Sequence, residues 1–123
     1  MTTKATTASH IATIILQQIY AGDSFAMARW GASKIRLALD ETAGTLETPG
    51  RAGGVAFTVK GTVRFPSREG LVAVELESQD TYRVTVYRKS RNRITLWAAV
   101  ETRDDVYCDE IAGVIDRMVE TAG

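Results

Sequence analysis

The chain has one cysteine, one histidine, two prolines and no net charge across its 123 residues. Each scarcity excludes something. A lone Cys108 allows no intrachain disulfide, and the expected compartment is a reducing one, the cytoplasm. A lone His10 rules out metal sites built on several imidazoles, and one thiol rules out a cysteine-rich zinc site, so no metal and no cofactor are expected. Zero formal charge means that no overall basic field marks the chain as a nucleic-acid binder. The N-terminal Met-Thr-Thr-Lys-Ala-Thr-Thr lacks the apolar core of a secretory signal. The longest apolar stretch, Ile11 to Leu16, stops at Gln17 and Gln18, too short for a membrane span.

What is present is ordinary for a folded domain: 45% hydrophobic and 24% charged residues. One domain over 1–123 is expected, with 1–9 a frayed polar N-terminus. Ile11, Ile14, Ile15 and Ile19 recur at helical spacing between an N-cap at Ser9 and a C-terminal Gly22. Phe25 to Asp40 reads as a strand or irregular turn followed by a strand at roughly 33–39, and Thr42 to Gly54 as an exposed loop.

From Gly54 the period becomes two. Val55, Phe57 and Val59 share a face, with Val63 and Phe65 in phase across Gly61 as a bulge or extension of the strand. Pro66 to Gly70 is a turn. Val72, Val74 and Leu76 define the next strand, Tyr82, Val84 and Val86 another, and Ile94, Leu96, Ala98 and Val100 a fourth; these last three, on short connections, form an antiparallel meander with one apolar and one wet face. Cys108, Ile111, Val114, Ile115, Met118 and Val119 line one side of a C-terminal helix, which Thr102 and Asp105 would open as a capping box. The fold class is α+β: an antiparallel sheet of about five strands, with the N-terminal and C-terminal helices packed on one face as a second layer.

Charge is unevenly placed. From Glu101 onward there are seven acids against Arg103 and Arg117, which leaves the first hundred residues with five positive charges in excess. Arg83, Arg88, Lys89, Arg91 and Arg93 fall in a stretch without acids, and Tyr87 and Trp97 stand on the side of their strands away from the predicted core. Cations interleaved with aromatics can hold phosphates and stack on bases, or anchor an acidic protein surface. The plain alternative is a solvated hairpin whose arginines pair with Glu75, Glu77 and Glu101. Gly50-Arg-Ala-Gly53-Gly54 lacks the Lys-Ser/Thr of a phosphate loop. Acid pairs such as Asp104 with Asp105, and Asp109 with Glu110, suit a helix start better than a catalytic cleft.

Leu16-Gln17-Gln18, Phe25-x-Met27 with Gly31-Ala32, the strand at Phe57, Asp80-x-Tyr82-x-Val84 and Val106-Tyr107-x-Asp109-x-Ile111 occur in that order. The set resembles a family of small uncharacterised proteins encoded by bacteriophages, prophages and other mobile elements. The resemblance brings no activity and therefore no site residue. It implies a context, in which small accessory proteins act by binding. The leading expectation is a non-enzymatic accessory protein that binds a host or phage protein, such as a component of a host defence system. The alternatives are a nucleic-acid-binding protein using the hairpin at 83–93, and a small metal-dependent enzyme using clustered carboxylates. A homodimer through a strand edge is compatible with either binding role.

Overall fold

A computed structural model describes residues 4–37, 54–76, 81–89 and 97–120, with backbone alone at 4–10 and 36–37. Helix α1 (Lys4–Gly22) and a one-turn helix α2 (Ala26–Arg29) precede five strands: β1 (Ser33–Leu37), β2 (Gly54–Val59), β3 (Gly70–Leu76), β4 (Tyr82–Lys89) and β5 (Trp97–Val106). A 3-10 turn at Cys108–Glu110 leads into α3 (Ile111–Val119). The strands pair antiparallel in sequence order, β1-β2-β3-β4-β5, so the sheet is a plain meander. The expected α+β fold with terminal helices against a five-stranded antiparallel sheet is what the chain adopts.

The in-phase residues of the sheet make the main core. Val55, Phe57, Val59, Val72, Val74, Val84 and Val86 meet Ile15 and Ile19 of α1 and Ile111, Ile115 and Met118 of α3 in one buried cluster. Trp30, at the end of α2, lies stacked on Phe57 with ring centroids 6.2 Å apart and planes 4° apart. Its indole Nε1 donates to Asp116 Oδ1 at 3.0 Å, and Arg29 donates to the same oxygen at 2.9 Å, so α2 is pinned to α3.

Several local expectations give way. α1 starts at Lys4, so residues 4–9 are helical and Ser9 is an interior residue, not a cap. No glycine or proline interrupts 4–21, and adding a turn to an existing helix costs little. Phe25–Arg29 is not a strand, because the Asp23 carboxylate accepts the Phe25 N–H at 3.0 Å and sets up a helical turn. Val63 and Phe65 do not extend β2. At Gly61 (φ 84°) the chain leaves the strand, and the Gly61 N–H donates to the Phe65 carbonyl at 2.8 Å.

The C-terminal half of the meander differs most. β5 runs ten residues, so Thr102 and Asp105 lie in a strand and form no capping box. The cap sits later, where the Glu110 carboxylate accepts the Tyr107 N–H at 3.1 Å. Cys108, expected on the core stripe, is exposed because it precedes the first turn of α3. A register shift between Val86 and Tyr87 reverses the phase of β5 beyond Ala99, so Val100, expected in the core, is 42% exposed and Glu101 stands opposite Val86. Trp97 lies before the shift, on the side expected of it, and is buried there. The strand positions at Ile94 and Leu96, the loop at 42–53 and the reversal at Gln79 and Asp80 lie outside the described residues.

The second face of the sheet is not wet. Ala56, Leu71, Ala73, Tyr87 and Trp97 form a second buried cluster, and Thr58, Glu75 and Thr85 are buried beside them. Most of these side chains are apolar and need no polar partner, but the Glu75 carboxylate is 1% exposed among them.

Candidate functional site

The predicted basic hairpin divides when placed on the fold. Tyr87 is fully buried and Trp97 is 7% exposed, so neither aromatic offers a face for stacking. This corrects the expectation of an aromatic binding surface: both belong to the second core, on which Lys89 rests its ammonium 6.0 Å from the Trp97 ring. Arg83 is committed to Asp104, with Nε 2.6 Å from Oδ1. Arg88 and Lys89 are exposed at the end of β4. Arg91 and Arg93 lie outside the described residues.

What gathers around Arg88 and Lys89 comes from the segment after β2. Having left the strand at Gly61, the chain is tied down three times. The Thr62 hydroxyl accepts the Phe65 N–H at 3.1 Å, and the Arg64 N–H donates to the Val119 carbonyl at 2.9 Å. The Arg64 guanidinium donates to Glu101 Oε1 at 2.8 Å on β5. Phe65 is thereby held against Gly70, where even a Cβ would come within 2.5 Å of its ring. The absence of a side chain at Gly70 is what lets the ring lie on the sheet.

The result is a cleft of about 390 Å3 lined by Arg64, Phe65, Pro66, Ser67, Arg68, Glu69, Arg88, Lys89 and Val100. This is within the size range of small-ligand sites, about 300–1,000 Å3. Phe65, Pro66 and Val100 supply apolar surface, and four cations surround it.

Those cations are not equivalent. Arg64 is matched by Glu101, and Lys89 by Glu69 at 3.3 Å; Glu69 also holds Lys34 of β1 at 3.1 Å. Hydrogen bonds from Lys34 and Lys89 hold the Glu69 carboxyl below the usual range. Burial pushes Glu101 upward, but the hydrogen bonds from Arg64 and Arg103 outweigh it and the net direction is down. Both carboxylates are therefore ionised near neutrality and act as fixed counter-ions. Arg68 and Arg88 have no ion pair among the described residues, and both face solvent.

The acid-rich region predicted as a helix start is spread along the chain. Asp104 and Asp105 are on β5, whereas Asp109 and Glu110 are in the 3-10 turn. Among the described residues no group of three or more His, Cys, Asp or Glu side chains could hold a metal ion. No described helix is long and apolar enough to cross a membrane.

Compared with known protein families, curated proteins and solved structures, the chain matches none.

Sequence reasoning found Arg88 and Lys89 but missed Arg64, Arg68 and Glu69, which it placed in a strand extension and a turn. The available signal was Gly61 followed by Thr62. A glycine and a hydroxyl residue at a strand end favour a bend that folds the next residues back.

Proposed function

We propose that this protein is a non-enzymatic binding module whose basic cleft engages an acidic segment of a protein partner. The observation that supports this most directly is the presence of Arg68 and Arg88 in one cleft, each without a carboxylate partner among the described residues, beside the apolar surface of Phe65, Pro66 and Val100. Guanidinium groups stay protonated at any physiological pH, so they bind and orient anions but do not shuttle protons. An acidic side chain would meet the two arginines, while an adjacent apolar residue covers the Phe65 side of the cleft. This pairing of charge and apolar contact is typical of interface anchors.

A protein partner is favoured over nucleic acid on one ground. Single-strand binding relies on aromatic faces as well as cations, and Tyr87 and Trp97 are buried in the sheet. The resemblance to mobile-element proteins would put the partner among host or phage proteins, with a defence complex the natural candidate.

The test compares capture by the wild-type chain, by an Arg68→Ala/Arg88→Ala double variant, and by Lys60→Ala, which changes an exposed cation outside the cleft. The expected result is a nuclease-resistant complex with the wild type and Lys60→Ala that is lost with the double variant. A complex that survives the double substitution, or that disappears on nuclease treatment, overturns the assignment.

A further inference from the structure

The charge balance of the cleft bears on what the acidic segment presents. Arg64 and Lys89 already have carboxylate partners in Glu101 and Glu69. Arg68 and Arg88 have no ion pair among the described residues, and Glu69 and Glu101 are each shared with a second cation, Lys34 and Arg103, so the cleft carries at least two positive charges in excess. One carboxylate would match at most half of it. A phosphate monoester carries about −1.5 to −2 at neutral pH, with three acceptor oxygens that suit guanidinium forks. We infer that the cleft receives a phosphorylated side chain, its phosphate between Arg68 and Arg88 and its carbon stem or ring against Phe65, Pro66 and Val100. This rests on the reading of the cleft as a site for an acidic protein segment, and it names the group that segment carries.

The internal counter-ions fit the same picture. Glu69 bridges Lys34 of β1 and Lys89 of the cleft, at 3.1 and 3.3 Å, and so occupies the cleft's one lysine. The positions left for an incoming anion are those of the two planar, bidentate donors. Glu69 and Glu101 are held below the usual carboxylate range, so both counter-ions keep their charge as pH falls toward 5. A phosphate monoester, whose second ionisation lies near pH 6, loses charge in that window.

The experiment is an NMR titration of the full chain with phenyl phosphate, and with benzoate as the carboxylate of the same ring. Amide shifts of Gly70, Arg88 and Val100 and the guanidinium signals of Arg68 and Arg88 report the site. At pH 7.5 phenyl phosphate is expected to bind at least about tenfold more tightly than benzoate, with the advantage shrinking toward pH 5. Arg68→Ala and Arg88→Ala should each weaken it by about tenfold, the usual size of a charge-assisted hydrogen bond, and Lys60→Ala should leave it unchanged. Inorganic phosphate binding as tightly as phenyl phosphate would remove the side chain from the proposal. A 5′-phosphorylated oligonucleotide binding more tightly still would replace the phosphoprotein with nucleic acid. Benzoate matching phenyl phosphate in the wild type would overturn the phosphate assignment even if partner capture still depended on Arg68 and Arg88, in which case the acidic-segment reading alone survives.

Discussion

Asp116 ties the structure together, and its removal has a calculable cost. Trp30 is fully buried, and the one polar atom of its side chain, Nε1, donates to Asp116 Oδ1 at 3.0 Å. Asp116→Ala leaves that donor without its acceptor inside the core, which costs about 1–3 kcal/mol. The accompanying ion pair with Arg29 is partly exposed and adds little. For a domain of this size the expected fall in Tm is roughly 5–15 °C. Asp116→Asn keeps an acceptor and should lose less than about half as much.

The pH dependence separates charge from shape. The hydrogen bond from Trp30, with that from Arg29, holds the Asp116 carboxyl below its ordinary value of 3.8 against the opposing effect of burial. A carboxyl with a depressed folded-state pKa contributes stability that is present above about 3.8 and is lost as pH falls through the folded value. The gap between wild type and Asp116→Asn should therefore be full at pH 6 and close below pH 3.8. Urea unfolding followed by tryptophan fluorescence measures both quantities. A gap that is unchanged from pH 6 to pH 3, or an Asp116→Ala variant as stable as wild type, would refute the account of the α2–α3 lock.

Two further outcomes check other parts of the fold. Gly31 has φ 61°, and a Cβ there would lie 2.2 Å from the Lys60 carbonyl oxygen, so Gly31→Ala should lose at least about 2 kcal/mol by denaturant unfolding. Because Trp30 and Trp97 are both buried, native emission should be blue-shifted and acrylamide should quench it several-fold less than in the unfolded chain; ready quenching would restore the wet-face reading of Trp97.

Periodicity made the main core legible. Val55, Phe57 and Val59, then Val72 and Val74, then Val84 and Val86 alternate so regularly that a shift by one residue would expose the whole set, and the structure keeps them on one face. The same holds for Ile111, Ile115 and Met118 at helical spacing. The stripe of α1 gave its existence but not its start, since Lys4 to Ser9 contains no signal that distinguishes a helical from a frayed polar segment.

The candidate site was half legible. Arg88 and Lys89 stood out as part of an acid-free run, and their exposure held; Tyr87 and Trp97 were placed on the correct side of their strands but in the wrong medium. Alternation tells which side of a strand a residue takes, and it does not tell whether that side meets water. On the second face Ala56, Leu71, Ala73, Tyr87 and Trp97 come together from four strands into one buried cluster, a grouping that no single strand's pattern shows.

By itself, then, the sequence determined the α+β class, the meander and the residues of the helix-facing core, because those follow from local periodicity and the need to bury one face. Tertiary structure alone decided the phase of β5, through a register shift against β4, and the assembly of the cleft, through the return of residues 61–69 across Gly70. Both depend on where one segment of backbone meets another far along the chain, and no pattern within either segment encodes that distance.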